Sequence, residues 1–193
     1  QAEPEWLSLS FPNGSKLEGC PELAEPLVTR MWGRHVQGHV VEGGWNASLS
    51  EFCGEPVVLV RSSEPGQCYD EYPISVLSQA SVELLNNQPG ASTSLEYRRF
   101  RPNFVMQGGD AHQEDSWLGE IIQIGHSLRL RVVARDPRCA ITTNNPDTGE
   151  WDTDTLRIII GYRPSQRAAY FGVYGTVERP GPVSIGDPVI GPL

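Results

Sequence analysis

Cys139 stands in RDPRCAITTNNPDTG, residues 135–149, with Thr142 and Thr143 just after it and an Asn-Pro-Asp-Thr-Gly turn beyond. A thiolate is a nucleophile and a soft metal ligand, and nearby Arg135 and Arg138 are expected to favour that form. A loop between strands is also where functional groups are commonly presented. Against this, a lone cysteine beside Ala-Ile is by frequency a small buried hydrophobe. Residue type alone leaves both readings open.

The segment EYRRFRPN, residues 96–103, brings Arg98, Arg99, Arg101 and Asn103 together at the start of an apolar run, with Pro102 fixing the backbone between the last two. Guanidinium matches the geometry of phosphate, and an asparagine amide both donates and accepts, so the cluster suits an anion. Ion pairing with local glutamate is the competing reading. His112, Glu114 and Asp115 in AHQEDSW have acid–base chemistry, but three polar residues before a strand are more often a loop bonded to itself. His35 and His39 are four apart; on a strand that is about 13 Å, too far to share an ion, and the surrounding glycines argue against a helix. There is no Gly-x-Ser-x-Gly elbow, P-loop or dinucleotide-binding glycine fingerprint.

These groups need a scaffold, and 193 residues with 16 prolines and 20 glycines point to short strands joined by turns. LSLSF, LVTRMW, HVQGHVV, PVVLV, FRPNFVM, WLGEIIQIG, SLRLRVVAR, AYFGVYGTV and PVSIGDPV are expected as strands. WNASLSEFCG reads as a short helix closed by Gly54, and ISVLSQASVELLNN as a longer one broken at Gln88-Pro-Gly. TLRIIIGYR fits either period; Asp152 and Asp154 before it favour a capped helix. The fold class is therefore mainly β with a few short helices. The opening QAEPEW looks like a cut end.

A net charge of −9, with no basic run, argues against a nucleic-acid partner. No stretch of about 18 apolar residues is present to span a membrane. Cys20, Cys53, Cys68 and Cys139 lack the short pairings of structural zinc and are expected as reduced thiols in an intracellular, cytoplasmic setting.

Taken together, RFRPNFVMQGGDAHQEDSW, IGHSLRLRVVARDPRCAITTNNPDTGEWD, TLRIIIGYR and FGVYGTVERPGPVSIGDPV resemble, in order and spacing, the MOSC family, named for the C-terminal domain of molybdenum cofactor sulfurase. Within it the likeness is greatest to the amidoxime-reducing components and the bacterial relatives that detoxify N-hydroxylated bases. The resemblance implies a β-barrel-based domain holding molybdenum cofactor (molybdopterin), and no pyridoxal phosphate. It implies that Cys139 is the molybdenum ligand and catalytic centre, and that Arg101, Asn103 and Tyr72 bind the cofactor. The implied activity is oxidoreductase: reduction of N-hydroxylated or N-oxygenated compounds by oxygen-atom transfer, with electrons from a separate donor protein. The alternative is a non-redox module that binds the cofactor or carries sulfur as a persulfide. Family members carry a Tyr-Pro-(Ile/Val)-Lys-Ser segment in an N-terminal lobe, and this chain has none. Residues 1–70 are accordingly expected to be the remnant of that lobe and 71–193 the MOSC domain, with a missing N-terminal segment or second chain completing the site.

Overall fold

A computed structural model describes residues 6–91, 94–163, 165 and 168–193; of the stretch read as a cut end, only Trp6 falls among them. The chain forms two compact units, Gln1–Glu71 and Tyr72–Leu193.

In the first unit, β1 (Leu7–Ser10) and β2 (Lys16–Gly19) form a hairpin across the Pro-Asn-Gly turn. β3 (Glu22–Met31), β4 (Arg34–Glu42) and β5 (Val60–Ser62) form an antiparallel sheet in that order. His35 and His39 lie on β4 opposite Arg30 and Pro26, as their spacing implied. Helix α1 (Trp45–Cys53) ends at Gly54, whose left-handed φ of 73° lets its N–H reach the Ser50 carbonyl at 2.9 Å.

PVVLV is not the expected strand: only Val60 belongs to β5. Side chains of α1 take its backbone groups instead. Val57 N–H donates to Ser50 Oγ at 3.0 Å and Leu59 N–H to Asn46 Oδ1 at 2.7 Å.

The second unit is a nearly closed, barrel-like sheet of six strands. Its members are β6 (Ile74–Ser78), β7 (Phe104–Met106), β8 (Ile121–Ile124), β9 (Leu128–Pro137), β10 (Tyr170–Arg179) and β11 (Val189–Ile190), in spatial order β11-β8-β9-β10-β6-β7. Only β6–β7 is a parallel pair. Alternation on β9 works as read: Leu128, Leu130 and Val132 are buried with Val76, Trp117, Ile122 and Val173 in the barrel core. A second core sets Leu77, Phe100 and Phe171 against α2 (Gln79–Asn86) and α3 (Thr155–Tyr162). Phe171 and Val173 would share a face on a regular strand; the register shift between Tyr170 and Val173, with Gly172 at φ 83°, sends them to different cores.

Three expectations are corrected here. Residues 74–78 are a strand, not the first turns of a helix, because β6 is sandwiched between β10 and β7 and Ser75–Ser78 are all buried. A strand buried on both faces shows no period of two. FRPNFVM and PVSIGDPV contribute only Phe104–Met106 and Val189–Ile190; Ser184–Asp187 is a turn closed by Asp187 N–H to Ser184 O at 3.1 Å. The last uncertain element is a helix: Asp154 caps α3 by accepting from Arg157 N–H at 3.1 Å.

Candidate functional site

Cys139 lies two residues past the end of β9, after Arg138, and precedes a 3-10 turn, Ala140–Thr143. Its thiol is free and exposed, so it is not the buried hydrophobe that base rates favour. The loop behind it is fixed. Thr142 Oγ1 donates to the Cys139 carbonyl at 3.0 Å, and buried Thr155 at the start of α3 donates to the Thr142 carbonyl at 2.9 Å. The turn beyond is held by Asn145, whose Oδ1 accepts from Asp147 N–H at 2.8 Å.

The arginines divide by environment. Arg98 is exposed and pairs with Glu96 and Asp147. Arg99 has a side chain only 2% exposed; it grips Asp152 with both terminal nitrogens, at 2.7 and 2.5 Å, and donates to the Asn144 carbonyl at 3.0 Å. These two are structural. Arg101 is exposed, and its guanidinium has no hydrogen bond or ion pair among the described residues. Its backbone is left-handed, φ 49°, where the chain turns from the 3-10 segment Tyr97–Phe100 toward β7.

Asn103 and Ser75 bond reciprocally: Asn103 N–H to Ser75 O at 2.9 Å, and Ser75 N–H to Asn103 Oδ1 at 2.8 Å. That leaves Asn103 Nδ2 without a hydrogen bond among the described residues.

One buried side chain joins the thiol loop to this edge. Arg138, 7% exposed, donates Nε to the Phe171 carbonyl at 2.7 Å and Nη1 to the Phe100 carbonyl at 2.8 Å. Its Nη2 forms an ion pair with Asp136 Oδ2 at 2.8 Å, a charge contact rather than an aligned hydrogen bond, and the same Oδ2 accepts from Ser75 Oγ at 2.8 Å. Gly172 makes this possible: a Cβ there would stand 3.1 Å from Arg138 Nη2 and 2.7 Å from the Val76 carbonyl. The two arginines flanking this segment have partners of their own. Arg138 is committed to two carbonyls and Asp136, and Arg135 pairs with Asp115 at 3.4 Å.

Sequence reasoning missed Ser75 and Asp136. A glycine inside a strand pattern was the one legible hint, since it marks close approach of another group.

Tyr72 is half-buried with its ring against Tyr174, centroids 5.6 Å apart; no hydrogen bond among the described residues ties it to Cys139, Arg101 or Asn103. Hydrogen bonds and one ion pair thus link the loops that carry Cys139, Arg101 and Asn103, by way of Phe100, Arg138, Asp136 and Ser75; among the described residues the Cys139 thiol and the Arg101 guanidinium make none of these bonds themselves, and Tyr72 has no part in the links.

AHQEDSW carries the local hydrogen bonds expected of it, Asp115 N–H to the His112 carbonyl at 3.0 Å and Ser116 Oγ to the Gln113 carbonyl at 2.7 Å, but it is also anchored inward. Gln113–Trp117 is a 3-10 turn that drives Glu114 fully inside, where Oε1 accepts from Ser78 N–H at 3.2 Å and Ser81 Oγ at 3.1 Å. Burial raises its pKa above the usual carboxylate range. His112 Nε2 lies 2.9 Å from the Tyr162 hydroxyl; burial, aided by the Arg163 charge, lowers its pKa to about 4. Burial also raises the Tyr162 pKa.

Among the described residues no group of three or more His, Cys, Asp or Glu is placed to hold a metal. A metal on this surface would take one protein thiolate, with its other donors brought by a ligand. The residues fit a sulfur-bearing, anionic cofactor in that sense: an exposed thiol, an unpaired guanidinium and an open amide donor on one frame. Among the described residues no helix is long and apolar enough to cross a membrane.

Mitochondrial amidoxime reducing component 2 of Homo sapiens is 38% identical over 131 residues, covering 63% of this chain and 38% of that protein. Mitochondrial amidoxime-reducing component 1 of Mus musculus is 40% identical over 140 residues, covering 68% and 40%. Molybdenum cofactor sulfurase of Solanum lycopersicum is 27% identical over 184 residues, covering 76% and 22%. The chain spans about two fifths or less of the length of these relatives. The family model described as MOSC domain matches residues 53–190, and the chain belongs to the MOSC domain family.

Proposed function

We propose that this MOSC domain holds molybdenum cofactor with Cys139 as the metal's protein ligand and serves the reduction of N-hydroxylated substrates. The observation that carries the reading is the shared frame: an exposed thiol whose preceding residue is hydrogen-bonded to the residue preceding an unpaired arginine. Similarity to the amidoxime-reducing components supports the substrate class.

Cys139 loses its proton to become a soft sulfur donor of the kind that suits a redox metal. Arg101 and Asn103 Nδ2 hold the anionic and polar parts of the ligand by charge-assisted and amide hydrogen bonds. Tyr72, two residues before β6 and packed on Tyr174, is read as a further cofactor contact. When bound, the cofactor would supply two-electron, oxygen-atom-transfer chemistry. Overall, the N–O bond breaks, two electrons and two protons are consumed, and the amidine or amine leaves with one water. The electrons come from a separate donor protein, and a segment or second chain outside residues 1–193 completes the grip on the cofactor. Residues 1–70 are read as belonging to an N-terminal lobe and 71–193 as the MOSC domain, the family match itself beginning at residue 53. Four free cysteines support a reducing, intracellular compartment.

A second reading, sulfur carriage as a Cys139 persulfide, is favoured by the same exposure of the thiol. Metal analysis with X-ray absorption, on protein made in molybdenum-replete cells, separates the two. Bound molybdenum that disappears in Cys139→Ala is the expected result. Metal-free protein that takes up labelled sulfur on Cys139 would overturn it.

A further inference from the structure

The frame that unites the site closes through a residue with no part in the proposed chemistry. Asp136 is 1% exposed, and its Oδ2 meets both the Ser75 hydroxyl and Arg138 Nη2, each at 2.8 Å. Ser75 is in turn bonded through its backbone to both the N–H and the side chain of Asn103. Arg138 reaches the Phe100 carbonyl at 2.8 Å. The route therefore runs from Asn103 to Ser75, Asp136, Arg138 and Phe100, and returns along the chain through Arg101. Cys139 is attached to this ring by one peptide bond.

We propose that Asp136 is a positioning residue: from beneath, it locks the Cys139 loop and the Arg101–Asn103 loop into one unit. The inference rests on reading those two loops as one site. A buried carboxylate here is costly unless paired, and its two partners come one from each side of the site. Removing its charge strips Arg138 of its counter-ion and Ser75 of a charge-assisted acceptor. Both loops then lose a tether at once, although neither loop is itself altered. A residue that only filled space would loosen what it touches, in proportion to contact, and the barrel interior with it.

The test uses the metal-free chain, compared as Asp136→Asn, as Ser75→Ala, which deletes only a hydroxyl, and as Ser75→Thr, which keeps one. Amide hydrogen exchange is followed in peptides covering 100–104 and 139–144, with 121–132 in the barrel as reference. In Asp136→Asn both loop peptides are expected to exchange about tenfold faster while the barrel peptide is unchanged. Ser75→Ala is expected to shift the same two peptides in the same direction by less, and Ser75→Thr to behave as wild type. Acceleration in one loop only, in neither, or uniformly through the barrel would overturn the proposal. Molybdenum content of the same variants is read separately. If wild type binds no molybdenum yet the two loops move together, the cofactor reading fails and the positioning role stands.

Discussion

Arg138 Nη1 donates to the Phe100 carbonyl at 2.8 Å, so the residue before Cys139 is bonded to the residue before Arg101. With Nε on Phe171 O and Nη2 on Asp136, the guanidinium serves three partners in three directions. A lysine ammonium is a point charge without that fork. Arg138→Ala leaves Asp136 buried and uncompensated, and is expected to cost about 3–5 kcal/mol; Arg138→Lys recovers only part of it. Equilibrium urea unfolding measures both. A loss below about 1 kcal/mol in Arg138→Ala would show the fork to be incidental.

Gly172 and Gly161 make opposite forecasts. At Gly172, φ is 83° and a Cβ would press on the Val76 carbonyl at 2.7 Å, so Gly172→Ala is expected to destabilise by about 1–3 kcal/mol. Gly161 lies within α3, and a Cβ there meets nothing within 4 Å. Gly161→Ala should therefore stabilise by about 0.5–1 kcal/mol, the helical advantage of alanine. The same unfolding experiment reads both, and equal effects of one sign would refute the account.

His112 predicts a loss of stability in mild acid. Its pKa of about 4 in the folded chain lies below the ordinary 6.5, so between those values the unfolded chain binds more protons. Stability from this group is complete above about 6.5 and is lost as pH falls toward 4. Thermal melts at pH 7 and pH 5 should differ more in wild type than in His112→Gln, which has nothing to titrate; parallel shifts in both would exclude the histidine.

Glu114 runs the other way. Its pKa is raised, so the folded chain holds the proton more tightly, and the contribution fades as pH rises through the folded value. Glu114→Gln keeps an acceptor for Ser78 N–H and Ser81 Oγ without the ionisable group. It is expected to gain midpoint temperature over wild type at pH 8 and to lose that gain at pH 5. A pH-independent difference would mean that Glu114 binds its proton equally in the folded and unfolded chains, and would overturn the raised pKa.

What could be read in advance follows from how local each signal is. Gly54 ending α1, Asp154 starting α3 and alternation on β9 are decided within a few residues, and the structure has them as read. The five residues of β6 were mistaken for helix because burial on both faces erased their period; only the β10 and β7 partners, far along the chain, make them a strand. Glu114 and His112 were expected in a loop with local hydrogen bonds; their further partners, the hydroxyls of Ser81 and Tyr162, lie 33 and 50 positions away and could not be read locally. At the site, Cys139, Arg101 and Asn103 were legible from their chemistry and motif. Their common support was not, since Ser75 and Asp136 are 61 positions apart and nothing in either neighbourhood announces the other.

The left-handed backbone at Arg101 carries a further consequence. A non-glycine residue at φ 49° pays for its place in conformational energy that glycine would not spend, of order 1 kcal/mol. The most stable version of this chain is therefore not the one with a cation at this turn. Stability selection applied blindly to this domain would drift toward Arg101→Gly and return a sturdier barrel without the exposed guanidinium.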